Sequence, residues 1–144
     1  MKDNYGRQVD NVYVIDTKMF GFAGWCAAFI ISGYDHIAMI DTGPPKSAEI
    51  VREGIKAKGF DLKDISYVIV THHHFDHWGC AGILLKDMPV AKVMVHSRVA
   101  KHLVDPSIIN ENLKRDTGEK LYSRIGEILP IASSQVCLLY TSDA

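Results

Sequence analysis

The sequence predicts an α/β fold in which one mixed sheet carries helices. Before residue 41, short apolar segments are separated by glycine-rich turns, a pattern typical of antiparallel strands. From residue 47 onward, apolar segments of strand length alternate with segments of helical periodicity, which favours parallel strands joined by helices. This order corresponds to one αβ layer of an αβ/βα sandwich.

Three strands are predicted in the first part of the chain. They are, in order, residues 11–17, residues 25–32 and residues 36–40. A glycine-punctuated turn at residues 19–24 separates the first two, and Gly33-Tyr34-Asp35 forms a hairpin turn before the third. The segment Asp41-Thr42-Gly43-Pro44-Pro45 ends the third strand, because proline cannot continue a ladder of hydrogen bonds.

Helices and strands then alternate. Ser47 is expected to cap a helix that runs to Lys58 and is closed by Gly59, with Ala48, Val51 and Ile55 on its buried face. The following elements are a strand at residues 65–70, a short helix at 79–85, a strand at 90–95, a short helix at 97–104 and a long helix opened by Asp105 and Pro106. The buried stripe of the long helix is expected to comprise Ile109, Leu113, Leu121, Ile125 and Ile128.

Composition and charge exclude several classes of protein. The 144 residues are enough for one domain with a core, and 47% hydrophobic with 23% charged residues is typical of a globular protein. Sixteen basic and 17 acidic residues give a net charge of −1, so no nucleic-acid partner is expected. No signal peptide is visible, and residues 25–32 are too short to span a bilayer. We therefore predict no membrane partner, a small-molecule substrate and a cytoplasmic location.

The most informative segment is Thr71-His72-His73-His74-Phe75-Asp76-His77-Trp78-Gly79, which follows the predicted strand at 65–70. In extended chain, alternate side chains share a side, so His72 and His74 should face one way while His73 and Phe75 point into the packing. A turn at residues 75–76 would bring Asp76 and His77 to the same place. Imidazole and carboxylate ligands suit zinc or iron, so this loop is a predicted metal site.

Thr71-His72-x-His74-x-Asp76-His77-x-Gly79, together with Ile40-Asp41-Thr42-Gly43, resembles the signature of the metallo-β-lactamase-fold hydrolases. The similarity extends over residues 11–129, and Cys80 stands where a second glycine is common. The resemblance implies the N-terminal αβ half of a metallo-β-lactamase sandwich.

The resemblance also implies a pair of metal ions. His72 and His74 would bind the first, and Asp76 and His77 the second. A third histidine, a bridging aspartate and a last histidine would come from the second half of the fold. Zn²⁺ is the expected ion, with iron or manganese as alternatives, and water activated by the metals would attack the substrate. Asp76 is also a candidate catalytic residue that guides this water or takes up a proton.

Other residues near the motif are assigned different roles. Asp41 is expected to accept the outer N–H of a ligating imidazole, or alternatively to form an Asx-turn. Thr71 and Gly79 are interpreted as structural, and His96 and His102 as packing or surface residues. Trp25, Phe29 and Trp78 are expected in the core, although Trp78 could wall the cleft.

The last eight residues are a separate case. Cys137-Leu138-Leu139-Tyr140-Thr141-Ser142-Asp143-Ala144 resembles the translation of a transposon-end sequencing adapter. A genuine edge strand is the alternative, since residues 136–140 are strand-like in composition. We expect residues 1–136 to form a partial domain and residues 137–144 to be a non-native tail.

The leading functional hypothesis is a metal-dependent hydrolase with a binuclear site, acting on an ester, thioester, lactone, phosphoester or β-lactam. The chain itself is expected to be inactive, because each ion would have two protein ligands where a catalytic zinc takes three. The alternatives are an iron-dependent redox enzyme on the same fold and a non-catalytic metal-binding protein.

Overall fold

A computed structural model describes residues 10–139, in which six strands form a single mixed sheet. The strands, which are adjacent in chain order, are β1 (Val12–Asp16), β2 (Ala27–Ser32), β3 (Ile37–Ile40), β4 (Ile65–Ile69), β5 (Lys92–His96) and β6 (Val136–Leu139). β1, β2 and β3 pair antiparallel, whereas β3 to β6 pair parallel. The predicted α/β fold is confirmed, including the change from hairpins to parallel strands.

Five helices connect the parallel strands: α1 (Ala48–Ala57), α2 (Phe75–Trp78), α3 (Ala81–Leu84), α4 (Ser97–Val104) and α5 (Ser107–Ile125). The predicted buried face of α1 is confirmed, since Ala48, Val51 and Ile55 are all buried. Ser47 precedes α1 as predicted, but its side chain makes no capping hydrogen bond. It lies in a buried 3₁₀ turn with helical backbone angles, rather than in the extended conformation from which a serine caps a helix.

One face of the sheet forms the core. Its fully buried strand residues include Ile30, Met39, Val68 and Val93, and α1 packs against β1 while α4 packs against β5 and β6. The opposite face carries a row of apolar side chains that continues in register across all six strands. This row consists of Val14, Phe29, Ile40, Ile69, Met94 and Cys137, each only partly buried.

Apolar residues of the strands differ in their exposure. Ile31 is 38% exposed and Ile40 is partly buried, but Val70 is only 3% exposed. Val70 follows the end of β4, and its N–H donates to the Met94 carbonyl, which draws it into the parallel ladder.

Two predicted helices are wrong in detail. The helix at residues 79–85 instead begins at Phe75 and is interrupted at Gly79 and Cys80 between α2 and α3. The long helix α5 contains a break at Gly118, where φ is 76° and ψ is 163°. Only glycine adopts that backbone conformation readily.

The break interrupts the predicted apolar stripe of α5. Beyond it, Leu121 is 36% exposed, and Ile128 lies outside the helix although it is buried. Ile125 is buried as predicted. Ile109 and Leu113, which precede the break, are partly buried.

The prediction that Trp25 packs in the core is also wrong. β2 begins at Ala27, and Trp25 lies in the preceding loop with 63% of its surface exposed. Its ring stacks on Phe22, with centroids 4.8 Å apart. Trp78, in contrast, is fully buried as predicted, and Phe29 is partly buried.

The adapter-like segment falls partly within the described residues. Val136–Leu139 forms β6 and pairs parallel with β5, whereas residues 140–144 lie outside the described part of the chain. The assignment of residues 137–144 as a non-native tail stays a prediction. None of the helices in residues 10–139 has the length and apolar character needed to cross a membrane.

Candidate metal centre

The proposed ligands lie on one loop that leaves the carboxyl end of β4. β4 is paired on both sides by parallel strands, and in such sheets binding sites gather at this edge. The chain is extended at His74, with φ −72° and ψ 141°, and then enters α2 at Phe75. This change of direction brings the residues of α2 back toward those that precede it.

The four side chains of the predicted site lie together. The ring centroids of His72 and His74 are 4.8 Å apart, and those of His72 and His77 are 3.8 Å apart. The Oδ2 atom of Asp76 is 3.4 Å from Nε2 of His77. The predicted convergence is therefore observed, while metal binding by these residues stays a prediction.

His73 does not lie where alternation predicted. Its side chain is exposed rather than packed, and its ring centroid is 4.6 Å from that of His74. The chain bends at His72 and His73, so the two-residue period of a strand ends with β4. The buried Trp78 fixes this bend, because its indole N–H donates to the His73 carbonyl at 2.9 Å.

Asp41 connects the end of β3 to this loop. It is buried, and one of its oxygens accepts from the backbone N–H of Thr71 at 2.9 Å. The other oxygen accepts from the Thr71 hydroxyl at 2.7 Å and lies 2.8 Å from Nδ1 of His77. The predicted contact between Asp41 and an imidazole of the motif is present.

This network selects the tautomers of two imidazoles. A carboxylate only accepts, so the His77 Nδ1 carries a proton when it bonds to Asp41. The Thr71 hydroxyl proton is used on Asp41, so its oxygen accepts from Nδ1 of His72, 3.0 Å away. In both rings Nε2 is left with a free lone pair, the form in which histidine binds a metal.

Thr71 has a larger role than its structural assignment suggested. Its hydroxyl donates to Asp41 and accepts from Nδ1 of His72. Asp41 therefore influences the tautomer of His72 through Thr71 rather than by direct contact. A hydroxyl residue directly before the first histidine of the motif was the available sequence signal.

The surroundings of His72 favour its neutral form, in which a ring nitrogen has a lone pair available for a metal. Desolvation, followed by the neighbouring His77 and His74 rings, lowers the pKa of His72 below its usual value. A neutral imidazole at working pH does not have to lose a proton before it binds a cation.

Further contacts hold α2 and the Asp41 segment in place. The backbone N–H of Thr42 donates to the His77 carbonyl at 2.6 Å, and the Cys26 thiol donates to the Asp76 carbonyl at 3.2 Å. Gly79 packs so closely on Pro45 that an added Cβ would lie 2.5 Å from its Cδ. Gly79 therefore has the structural role assigned to it, because a side chain there would collide with Pro45.

A cavity of about 460 Å³ adjoins the loop. His74 and Asp76 line one side, and the first half of α5 lines the other through Ile109, Leu113 and Asp116. Its size lies within the range of small-molecule sites.

The histidines that follow the motif lie outside this loop. His96 ends β5, where its Nδ1 accepts from the Arg98 N–H at 3.1 Å and caps α4, and His102 lies within α4. Within residues 10–139, no three histidine, cysteine, aspartate or glutamate side chains form an arrangement that would hold a metal ion. Within the described residues, the loop therefore contains pairs of side chains of the types that bind metals, but not a complete set of ligands for one ion.

The sheet, with its histidine- and aspartate-rich loop at the carboxyl edge, belongs to a known class of protein. The sequence profile of the metallo-beta-lactamase superfamily matches residues 23–136, which is most of the chain. The chain belongs to the metallo-beta-lactamase superfamily, as the motif resemblance implied.

Individual relatives support the same assignment. Probable metallo-hydrolase YqjP of Bacillus subtilis (strain 168) is 33% identical over 64 residues, which are 43% of this chain and 20% of that protein. The Rm3 metallo-beta-lactamase has a TM-score of 0.68 at 21% identity, over 94% of this chain and 44% of its own. MEM-A1, a subclass B3 metallo-beta-lactamase isolated from a soil metagenome library, has a TM-score of 0.65 at 23% identity, over 90% of this chain and 43% of its own. These two structures share the fold, and the chain spans less than half of their length.

Proposed function

We propose that this chain provides half of the active site of a metal-dependent hydrolase. The observation that carries the proposal is the contact between His77 and Asp76. With Nδ1 of His77 donating to Asp41, its Nε2 lone pair faces a carboxylate oxygen 3.4 Å away. Two acceptors in this arrangement are stabilised by a proton or a cation bound beside them, and imidazole with carboxylate suits a zinc-like ion.

The imidazole and carboxylate groups of the loop are ligands of the kind that bind such an ion. His72 and His74 form one pair of ligands, and Asp76 and His77 form another, with Zn²⁺ as the proposed ion at each. A divalent ion held there supplies Lewis acidity and acidifies a water molecule that it binds. A catalytic zinc takes three protein ligands, so we propose that a longer protein contributes the remainder.

The roles of the other residues follow from their contacts. Asp41 and Thr71 hold the His72 and His77 rings in the tautomers that expose Nε2. Asp76 is partly buried, and we propose that its carboxylate accepts a proton from a water molecule that attacks the substrate.

The cavity beside His74 and Asp76 is the proposed substrate site. Phe75, Ile109 and Leu113 contribute apolar surface, and Asn112 and Asp116 add polar groups on the α5 side. We propose a small-molecule substrate with a hydrolysable carbonyl or phosphoryl centre and an apolar group that occupies this cavity. A cytoplasmic location remains part of this proposal.

The first test measures zinc binding by the 144-residue chain, in competition with a chromophoric chelator at neutral pH. We expect His74→Ala and His77→Ala each to weaken binding at least about tenfold, as loss of one ligand from a shared site predicts. His36→Ala is the matched control, because His36 is exposed, directly precedes β3, and lies with its ring against that of Tyr67. Equal zinc affinity in all four proteins would overturn the proposed ligand set.

The second test concerns activity. Hydrolysis of thioester, lactone, phosphoester and β-lactam substrates is measured for the 144-residue chain and for a longer protein that contains it. We expect zinc-dependent turnover by the longer protein only, and its loss in His74→Ala. Turnover by the short chain would show that it completes its own ligand shell, with His96 or His102 to be tested next. Iron bound in place of zinc, with oxygen consumption and no hydrolysis, would support the redox alternative.

A further inference from the structure

A second cavity, of about 310 Å³, lies between the loop after β1, the start of α1 and the end of α5. Three cationic side chains line it, those of Lys18, Lys46 and Arg124, together with Ser47 and Ser123. None of the residues that line it is acidic, and none belongs to the loop that carries the predicted metal ligands. The cavity is therefore a positively charged site separate from the metal centre.

Within residues 10–139, no acidic side chain forms an ion pair with these three cations. Other basic residues of the described part have acidic partners, for example Arg52 with Glu49 and Asp87, and Lys114 with Glu119. Among the ion pairs of residues 10–139, none includes Lys18, Lys46 or Arg124. In a chain with a net charge of −1, this local excess of positive charge favours an anionic ligand.

The backbone conformation of the loop after β1 places Lys18 and Phe20 at the cavity. Lys18 and Phe20 both have positive φ, 46° and 56°, which is uncommon for residues other than glycine. The Asp16 carboxylate stabilises the loop by accepting from the N–H groups of Lys18 and Gly24. As a result, the Phe20 ring lies under the Arg124 guanidinium, 5.2 Å from its centroid, and stacking of this kind orients a guanidinium.

Helix α1 adds to the positive potential. The cavity is bordered by Ser47, which directly precedes α1, and by Ile50 in the first turn of the helix. The helix has ten residues, and no side chain caps its N-terminus. The N–H of Ala48, its first residue, donates to the Pro45 carbonyl, so the contribution of α1 is its dipole, which favours negative charge at this end.

We propose that this cavity binds a small oxyanion of the phosphate class, either free phosphate or the phosphate group of a small monoester. A guanidinium binds phosphate with two parallel hydrogen bonds, and lysines and serine hydroxyls satisfy the remaining oxygens. The volume lies at the lower end of the range for small-molecule sites, which suits a ligand of this size.

The test is calorimetric titration of inorganic phosphate into the 144-residue chain, with a chelator present and ionic strength held constant. We expect saturable binding with a Kd of about 1 mM or tighter. Arg124→Gln and Lys46→Gln should each weaken it at least about tenfold, as loss of a charge-assisted contact predicts. Arg115→Gln is the matched control on the same helix, since Arg115 pairs with Asp116 outside the cavity.

Two further variants sharpen the result. Arg124→Lys keeps the charge but loses the planar fork, so we expect binding weaker than in the unmodified chain. His74→Ala should bind phosphate normally, which separates this site from the proposed metal centre. If Arg124→Gln does not fold, Lys46→Gln and Lys18→Gln carry the comparison.

Glycerol phosphate, titrated in parallel, distinguishes the two sources of the anion. Tighter binding than phosphate assigns the site to a phosphate monoester, and weaker binding assigns it to free phosphate. Absence of saturable binding by the folded chain, or an equal loss of affinity in Arg115→Gln, would overturn the proposal.

Discussion

Asp41 and His77 are joined through a 2.8 Å contact between Oδ2 and Nδ1, although 36 positions separate them in the chain. Asp41 adopts a left-handed conformation, with φ 55°, at the end of β3, and its N–H still donates to the Ile69 carbonyl of the neighbouring strand. Aspartate is one of the few residues that tolerates this conformation. The backbone turn thus directs the carboxylate along the sheet edge and into the metal loop.

Replacement of Asp41 tests this relationship. Asp41→Asn keeps the size and tolerates the same backbone angles, but loses the charge and one acceptor oxygen. We expect zinc affinity to fall about 10- to 100-fold, the usual effect of losing a partner that orients a ligating histidine. Competition with a chromophoric chelator measures it, and Asp87→Asn, which removes an exposed partner of Arg52, is the control. Unchanged affinity in Asp41→Asn would show that the contact does not position His77.

Thr71 is predicted to act through its hydroxyl rather than through its bulk. Thr71→Val removes the link between Asp41 and His72 while keeping the shape, so both the tautomer preference of His72 and zinc affinity should weaken. Thr71→Ser restores the hydroxyl and should restore both. Nitrogen chemical shifts of the His72 ring report the tautomer directly. If the valine and serine variants behave alike, the hydroxyl link has no effect.

Gly79 is required by close packing. A Cβ at this position would lie 2.3 Å from the Phe75 carbonyl oxygen and 2.5 Å from Pro45 Cδ. We expect Gly79→Ala to lower the free energy of unfolding by about 1–3 kcal/mol, the range for overpacking a close contact. Urea unfolding measures the change. In Gly33→Ala the nearest contact would be 3.1 Å, so a smaller loss is expected there, and an equal or larger loss would contradict this explanation.

The Cys80 thiol gives a pH dependence with a defined sign. Burial raises the pKa of Cys80 from 9.0 to about 12, and the Thr42 side chain offsets this only in part. Above pH 9.0 the unfolded chain loses the thiol proton while the folded chain keeps it, so ionisation favours unfolding. The contribution is complete below that pH and is lost as pH rises toward about 12, by at most about 1.4 kcal/mol per pH unit.

Urea unfolding at increasing pH, compared with Cys80→Ala, isolates this effect from other groups that titrate in the same range. The difference in unfolding free energy between the two proteins should shrink as the pH rises above 9. Parallel curves would show that the buried thiol does not contribute.

The sequence alone predicted the first five strands, the change from hairpins to parallel pairing, and the loop that carries His72, His74, Asp76 and His77. These features depend on local patterns, because apolar periodicity and proline or glycine punctuation act over a few residues. The contact from Asp41 was also predictable, since the ends of neighbouring parallel strands meet at one edge of a sheet.

Tertiary structure decided what depends on partners distant in the chain. Trp25 is as apolar as a core residue, but the loop after β1 holds it against Phe22 in solvent. The break at Gly118 turns part of a regular apolar stripe outward, because backbone angles at one glycine override the helical period. The Thr71 link required the end of β3 and the start of the metal loop to lie side by side. Local pattern fixes which residues share an element, whereas the packing of elements fixes which donor meets which acceptor.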